Sequence, residues 1–144
     1  MKLILFFIGI IFCSISIFFC IIYLNLLTIG YSFLEYVKFI NNGKTLIHNE
    51  IIHLEGSEDN VFFEVAMQYN NEYNSNIYSF VNNINTHDGG THEEGVKRAL
   101  TRVINSYARK VNLLKEKDES LTGDDVQEGL TMIISCKHPN PQFE

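Results

Sequence analysis

The stretch Phe80–Gly95, which reads FVNNINTHDGGTHEEG, decides the fold that the sequence predicts. A β-branched and aromatic run from Ile77 to Val81 stops there, and a helical pattern begins. The pair Gly89 and Gly90 tolerates positive φ and close backbone approach, which suits a sharp turn from a strand into a helix. The sequence therefore predicts a strand, a tight turn and a long helix in succession.

A capping pattern predicts where the long helix starts. Glu94 follows Thr91 by three residues, so the Thr91 hydroxyl can accept from the Glu94 amide while the Glu94 carboxylate reaches back to the Thr91 amide. We therefore expect a capping box on these two residues and a helix from about Glu93 to Leu114. The core-facing stripe predicted for this helix consists of Val96, Leu100, Val103, Ile104, Tyr107 and Val111.

Periodicity predicts five further elements. They are a helix Glu35–Asn41 with Tyr36, Phe39 and Ile40 on one face, the strands Ile51–Glu55, Val61–Tyr69 and Leu130–Lys137, and a short helix Asp124–Gly129 opened by Thr122 with Asp125. In the strand Val61–Tyr69 the odd-numbered side chains point to the core and the polar side chains Glu64 and Gln68 point away, as in a half-buried strand. This order of elements predicts an α+β sheet with its helices on one face.

The first 34 residues differ in composition from the rest of the chain. No charged residue occurs from Leu3 to Leu24, and at ~1.5 Å per residue this run is long enough to span a bilayer core of ~30 Å. We predict an apolar N-terminal helix within residues 1–34, separate from a domain at residues 35–144. Three interpretations stay open: a membrane anchor, a targeting leader, and translated sequence that does not belong to the domain.

No pattern of catalytic or metal-binding residues is complete. His87 and His92 flank Asp88 and Glu93, but no cysteine or further histidine lies nearby in sequence to complete a tetrahedral metal site. Walker-type loops, nucleophile elbows and paired carboxylates are absent from the sequence as well. We therefore expect no metal, no bound cofactor and no catalytic residue. The cysteines lack metal-ligand or redox spacing and are interpreted as structural thiols: Cys13, Cys20 and Cys136.

Six phrases, in order and near the expected spacing, resemble the transducer region of the B subunits of DNA gyrase and topoisomerase IV. They are EVAMQYN (Glu64–Asn70), the stretch Phe80–Gly95, ALTR (Ala99–Arg102), YARK (Tyr107–Lys110), LTGDDVQEGL (Leu121–Leu130) and KHPNPQFE (Lys137–Glu144). The resemblance covers residues 35–144 and ends upstream of Glu35.

The resemblance implies a ribosomal-protein-like α+β domain with a left-handed βαβ crossover. In the parent protein such a region couples ATP-driven dimer closure to DNA strand passage, and ATP and Mg²⁺ are bound by other domains. The family's Gln-Thr-Lys loop, which reaches the ATP site, would follow Glu144, so we expect the chain by itself to hydrolyse no ATP. The implied partners are DNA, a second B subunit and the topoisomerase A subunit, and the implied location is the cytoplasm or nucleoid.

The charge pattern bears on the DNA partner. Apart from Lys2, the chain has ten basic and seventeen acidic side chains, which argues against a protein that coats nucleic acid generally. Arg98, Arg102 and Arg109 nevertheless lie four and seven residues apart on one helix, so they share roughly one face. A solvated helix face explains this stripe, and a DNA-facing surface is the functional alternative.

Two other hypotheses stay open for the whole chain. One is a small membrane-anchored interaction protein that carries a borrowed α+β domain and is held in the membrane by residues 3–24. The other is a gyrase targeted to an organelle of the plastid type, with exons lost from the gene.

Overall fold

The computed structural model describes residues 32–142, which form a five-stranded mixed sheet with helices on both faces. In chain order the elements are α1 (Phe33–Ile40), β1 (Ile52–Glu58), β2 (Val61–Tyr69), β3 (Asn76–Val81), β4 (Ile84–Asn85), α2 (Thr91–Lys110), α3 (Gly123–Gln127) and β5 (Leu130–Lys137). The predicted α+β class is confirmed, as are the predicted bounds of β2 and β5. Residues 1–31 of the predicted leader lie outside the described residues. Within residues 32–142, no helix has the length and apolar character needed to cross a bilayer.

The strand order is β1-β2-β5-β3-β4, so the last strand of the sequence occupies the centre of the sheet. Neighbouring strands are antiparallel except β3 and β5, which run parallel. Because α2 and α3 connect these two parallel strands, β3 and β5 belong to a βαβ crossover. Its left-handed sense stays a prediction from the resemblance.

Strand β5 is buried on both faces, and each face is covered by a different helix. On one face Leu130, Met132 and Ile134 pack with β2 and with the first half of α2. On the other face Ile133 packs with Ala66 and with Val37 of α1. The prediction that the helices share one face was therefore wrong. A strand that is apolar at successive positions needs cover on both sides, and α1 supplies the second cover.

Strand β2 is likewise buried on both faces along part of its length. Its side chains at Ala66 and Gln68 point to the α1 face, yet both are buried. The half-buried pattern predicted for this strand thus holds only for its first residues, where Glu64 is partly exposed. On α1 itself Val37 is buried, and Phe39, which was predicted to share one face with Tyr36 and Ile40, is exposed, whereas those two pack against the core.

The predicted core stripe of α2 is covered only over its first half. Val96 and Leu100 pack against the sheet. Of the residues that continue the stripe, Ile104 is partly buried, whereas Val103 and Tyr107 are 61% and 63% exposed, and Val111, directly after the helix, is 42% exposed. The buried residue in the second half of the helix is Ala108, which the predicted stripe does not include.

Both tight hairpins use asparagine or aspartate at positive φ. Asp59 and Asn60, with φ of 49° and 65°, join β1 to β2, so β1 extends to Glu58 instead of ending at the predicted Glu55. Left-handed values at both loop residues are typical of the type I′ hairpin, whose twist matches that of the strands.

The end of α2 also depends on an asparagine. Asn112 has φ 59°, the Leu113 amide donates to the Ala108 carbonyl at 2.8 Å, and the Asn112 amide donates to the Arg109 carbonyl at 3.1 Å. This is the Schellman pattern, which ends a helix by satisfying its last carbonyls. Helix α2 therefore stops at Lys110, four residues before the predicted Leu114.

A buried cluster of four polar side chains, which we call the amide cluster, joins α1 to the start of β5. It consists of Asn41, Gln68, Asn70 and Thr131. The Thr131 hydroxyl donates to Asn41 Oδ1 at 2.7 Å, and Asn41 Nδ2 donates to Gln68 Oε1 at 3.0 Å. Asn70 Nδ2 donates to Asn41 Oδ1 at 3.2 Å and lies 3.3 Å from Thr131 Oγ1. No buried side-chain nitrogen or oxygen among residues 32–142 lacks a hydrogen-bond partner.

We predict that Thr131→Val lowers the free energy of unfolding by ~1–3 kcal/mol, because the shape is kept while two buried amide groups lose a hydrogen-bond partner. Urea unfolding of the full chain, followed by circular dichroism, measures the change. The matched control is Thr45→Val at an exposed threonine, which should change stability by less than ~0.5 kcal/mol. Equal midpoints for the two variants would contradict a stabilising role of the amide cluster.

Candidate functional site

A second hairpin lies at the start of the stretch Phe80–Gly95. Asn82 and Asn83, with φ of 49° and 67°, turn β3 into the two-residue strand β4. Asn82 Nδ2 donates to the His138 carbonyl at 2.9 Å, and the His138 amide donates to Asn82 Oδ1 at 2.9 Å. The hairpin is thereby fastened to the chain directly after β5. The sequence interpretation missed β4, although the pair Asn-Asn between two apolar residues is a signal for such a turn.

The glycine pair makes the turn into α2. Gly89 has φ 79° and its amide donates to the Thr86 carbonyl at 3.0 Å. Gly90 precedes the helix, and a Cβ atom there would lie 2.9 Å from the His92 ring. A side chain at either position would thus meet backbone strain, and at position 90 also a clash.

The predicted capping box on Thr91 and Glu94 was wrong. Helix α2 begins at Thr91 with Gly90 as its N-cap, so no side chain caps it, and the Glu94 amide donates to the Gly90 carbonyl at 3.0 Å. The carboxylate that anchors this helix start is Glu93, to which Ser79 on β3 donates. A capping box does form at α3, where Thr122 and Asp125 bond reciprocally.

Five side chains form a chain of hydrogen bonds under the turn, which we call the turn relay: His92, Thr86, Ser79, Glu93 and Lys97. Ser79 Oγ lies 2.6 Å from Glu93 Oε2 and 2.7 Å from Thr86 Oγ1. A hydroxyl has one proton, and the carboxylate can only accept, so Ser79 donates to Glu93 and accepts from Thr86. The contact of 3.2 Å between Thr86 Oγ1 and His92 Nε2 then requires His92 to donate. Lys97 Nζ completes the chain at 2.6 Å from Glu93 Oε1.

The relay changes the acidity of two of its members. Burial by itself raises the pKa of Glu93, but the hydrogen bonds from Lys97 and Ser79 and the Lys97 charge outweigh it and hold that pKa below 4.5. Burial lowers the pKa of His92, and the Glu93 carboxylate opposes this only in part. Near neutral pH the relay therefore holds an ionised Glu93 and a neutral His92.

The relay and the hairpin lie beside a surface concavity formed by two separate parts of the chain. Val81 and residues 85–92 line one side, and Cys136, His138 and residues 140–142 line the other. Cys136 is a buried free thiol whose pKa is raised by burial. Across residues 32–142 no three side chains of His, Cys, Asp or Glu are placed to hold a metal ion. His92 instead takes part in the relay, and His87 lines the concavity.

The three arginines of the predicted stripe have different environments. Arg98 is 83% exposed and lies 3.9 Å from Glu94, and Arg102 is exposed beside it on a shallow groove between α2 and α3. Arg109 folds onto the loop after α2, donating to the Lys115 carbonyl at 2.7 Å and to Ser120 Oγ at 2.9 Å. Arg109 therefore fixes a loop, whereas Arg98 and Arg102 are exposed on the helix surface.

Comparisons with known proteins agree on one family for most of the chain. The family profile described as DNA gyrase B matches residues 32–144, and the profile of the YuzI protein family matches residues 1–46. The B subunit of DNA gyrase from Bacillus mycoides is 60% identical over 110 residues, which cover 76% of this chain and 27% of the relative. The same protein from Halalkalibacterium halodurans is also 60% identical over 110 residues, which cover 76% of this chain and 17% of that relative. The chain thus spans about a quarter or less of the length of these curated relatives.

A solved structure supports the same assignment. The 43K ATPase domain of Thermus thermophilus gyrase B, in complex with an aminocoumarin, superposes with a TM-score of 0.72 at 40% identity. The match covers 77% of this chain and 30% of that one.

We predict that Glu93→Gln destabilises the protein by ~1–3 kcal/mol at neutral pH, because Ser79 and Lys97 lose a charged acceptor. Since the pKa of Glu93 is lowered by folding, its contribution is complete above pH 4.5 and disappears as the pH falls through the folded-state pKa. The difference in unfolding free energy between wild type and variant should therefore stay constant above pH 4.5 and shrink as the pH falls below that value. Glu94→Gln, at an exposed neighbour, is the control; a difference that stays constant with pH would refute the relay.

Proposed function

The chain belongs to the DNA gyrase B family, and we propose that its residues 35–144 serve as a transducer segment of an ATP-dependent type II DNA topoisomerase. In this role the segment passes ATP-driven closure of the N-terminal domains to the parts that break and pass DNA. The proposed partners are DNA, a second B subunit and the topoisomerase A subunit, and the proposed location is the cytoplasm or nucleoid.

The observation that carries the proposal is that β5 is fastened at both ends. At its start, Thr131 bonds to Asn41 at the end of α1. At its end, His138 and Asn82 form two reciprocal hydrogen bonds. The turn relay lies close to Asn82 in the chain. Because β5 is the central strand, a displacement applied at residues 138–142 or at α1 would move the sheet as one body. Rigid-body motion of a domain is one of the ways in which proteins couple distant sites.

ATP and Mg²⁺ are proposed for other parts of the parent protein. Lys97 Nζ lies 2.6 Å from Glu93 Oε1 and is therefore not free to neutralise a phosphate. In this proposal the described residues supply position and stiffness.

The proposed DNA contact is the pair Arg98 and Arg102, which we call the arginine pair. Both side chains are exposed on α2. Contacts between arginine and phosphate are independent of base sequence, as strand passage of arbitrary DNA requires, and they weaken with salt.

A chimaera tests the proposed role directly. The aligned 110-residue segment of the Halalkalibacterium halodurans relative, which is 60% identical, is replaced by the corresponding residues of this chain. We expect ATP-dependent supercoiling by the chimaera with its A subunit, whereas the isolated chain should show no ATP turnover above background. A chimaera that folds and hydrolyses ATP but passes no DNA would overturn the proposal. ATP turnover by the isolated chain that a point substitution abolishes would do so as well.

The arginine pair gives a separate prediction. In this chimaera, the double change of Arg98 and Arg102 to alanine should make the dependence of log affinity on log salt less steep by about 1.8, since each phosphate contact contributes ~0.9 to the steepness. Fluorescence anisotropy with a labelled duplex, at salt concentrations from about 50 to about 200 mM, measures the slope. Arg109→Ala is the control and should reduce stability without changing the slope. An unchanged slope in the double variant would exclude the pair as a phosphate contact.

A further inference from the structure

Strand β1 forms one edge of the sheet and has an open side. It pairs with β2, and among residues 32–142 no strand pairs with its other side. All seven of its residues, Ile52–Glu58, are exposed. An open edge presents backbone N–H and C=O groups that an additional extended chain can satisfy.

The side chains of β1 alternate in a way that could select such a chain. Ile52 is 42% exposed and Leu54 is 56% exposed, and both lie on the α2 face because they pair with Met67 and Val65. His53 and Glu55 lie on the opposite face. One face of an added strand would therefore meet Ile52 and Leu54, with Glu58 at its end, and the other would meet His53 and Glu55.

Acidic side chains outnumber basic ones around β1. Five carboxylates occur on and beside the strand, with no Lys or Arg from residue 45 to residue 96. They are Glu50, Glu55, Glu58, Asp59 and Glu64. Two basic side chains lie near this group: His53 Nε2 is 3.1 Å from Glu64 Oε1, and Lys137 Nζ is 5.7 Å from the centre of the Phe62 ring on β2. Lys44 is engaged by Glu72 at 2.8 Å. The edge thus carries a local negative charge that a cationic partner would relieve.

We propose that the open edge of β1 is a docking site for an extended peptide in which Lys or Arg alternates with apolar residues. The peptide adds a sixth strand: backbone hydrogen bonds give affinity, and alternate side chains give specificity. A second copy of this chain is a poor occupant, because two acidic edges would place like charges opposite each other. Seven residues at ~3.4 Å each set the length of the bound segment at about 24 Å.

Titration of the ¹⁵N-labelled full chain with a synthetic peptide tests this surface. The probe is an eight-residue peptide of alternating lysine and valine with blocked ends. We expect its amide shift changes to be confined to residues 50–66, with affinity that falls as salt rises. A peptide with glutamate in place of lysine should not bind, and N-methylation of alternate peptide residues should abolish binding when the methylated amides are those that would donate to the carbonyls of β1.

Charge-removing variants supply the decisive comparison. Glu55→Gln with Glu58→Gln should weaken binding of the lysine peptide about tenfold, and the matched double change Glu116→Gln with Glu119→Gln, in the exposed loop after α2, should leave it unchanged. Because all four positions are exposed, folding is preserved in both variants. Equal binding of the two peptides, shifts centred outside residues 50–66, or absence of binding would each overturn the proposal. So would shifts at β1 that depend on protein concentration alone, since they would identify a second copy as the occupant. None of these outcomes depends on the transducer role, which the chimaera tests separately.

Discussion

The need to cover β5 on both faces governs the arrangement of this domain. A strand whose successive side chains are apolar cannot lie at an edge or on a one-sided sheet without exposing half of them to water. Strands β2 and β3 protect its edges, α2 covers one face, and α1 covers the other. The short helix at the beginning of the described chain is therefore part of the core. A domain that begins near residue 35 stays a proposal, and the packing of α1 against the second face supports it.

Polar groups then fix what apolar packing leaves free. Apolar contacts are not directional, so they would allow α1 and the hairpin after β3 to slide along the sheet. The amide cluster sets the position of α1 at one end of β5, and the paired bonds between Asn82 and His138 set the hairpin at the other. The turn relay adds the orientation of α2, since Glu93 on the helix bonds to Ser79 on β3. Each of these clusters joins separate elements of the fold and fixes their relative positions.

The sequence predicted the type and order of nearly all elements, because alternation and helical period depend on local side chains. It also predicted the bounds of β2 and β5. It did not predict how the start of α2 is held. The capping patterns at Thr91 and at Thr122 look alike in the sequence, and the capping box forms only at Thr122. At the start of α2, Ser79 from β3 donates to Glu93 instead. The exposure of Tyr107 and the hydrogen bond from Arg109 to the loop after α2 depend on tertiary packing. The periodicity of the sequence does not contain this information. The resemblance to gyrase B identified the domain more securely than any single motif did.

The position of β5 also sets a constraint on folding kinetics. Strands β2 and β3 are neighbours only through β5, which is the last of the five strands to leave the ribosome. The pairing of Gln68 with Thr131 joins residues far apart in the chain, and such long-range closure is slow because its entropy is lost before its contacts form. Until β5 emerges, the nascent chain holds two separate hairpins with unprotected inner edges. A ribosome that pauses before residue 130 would therefore leave a species prone to aggregation.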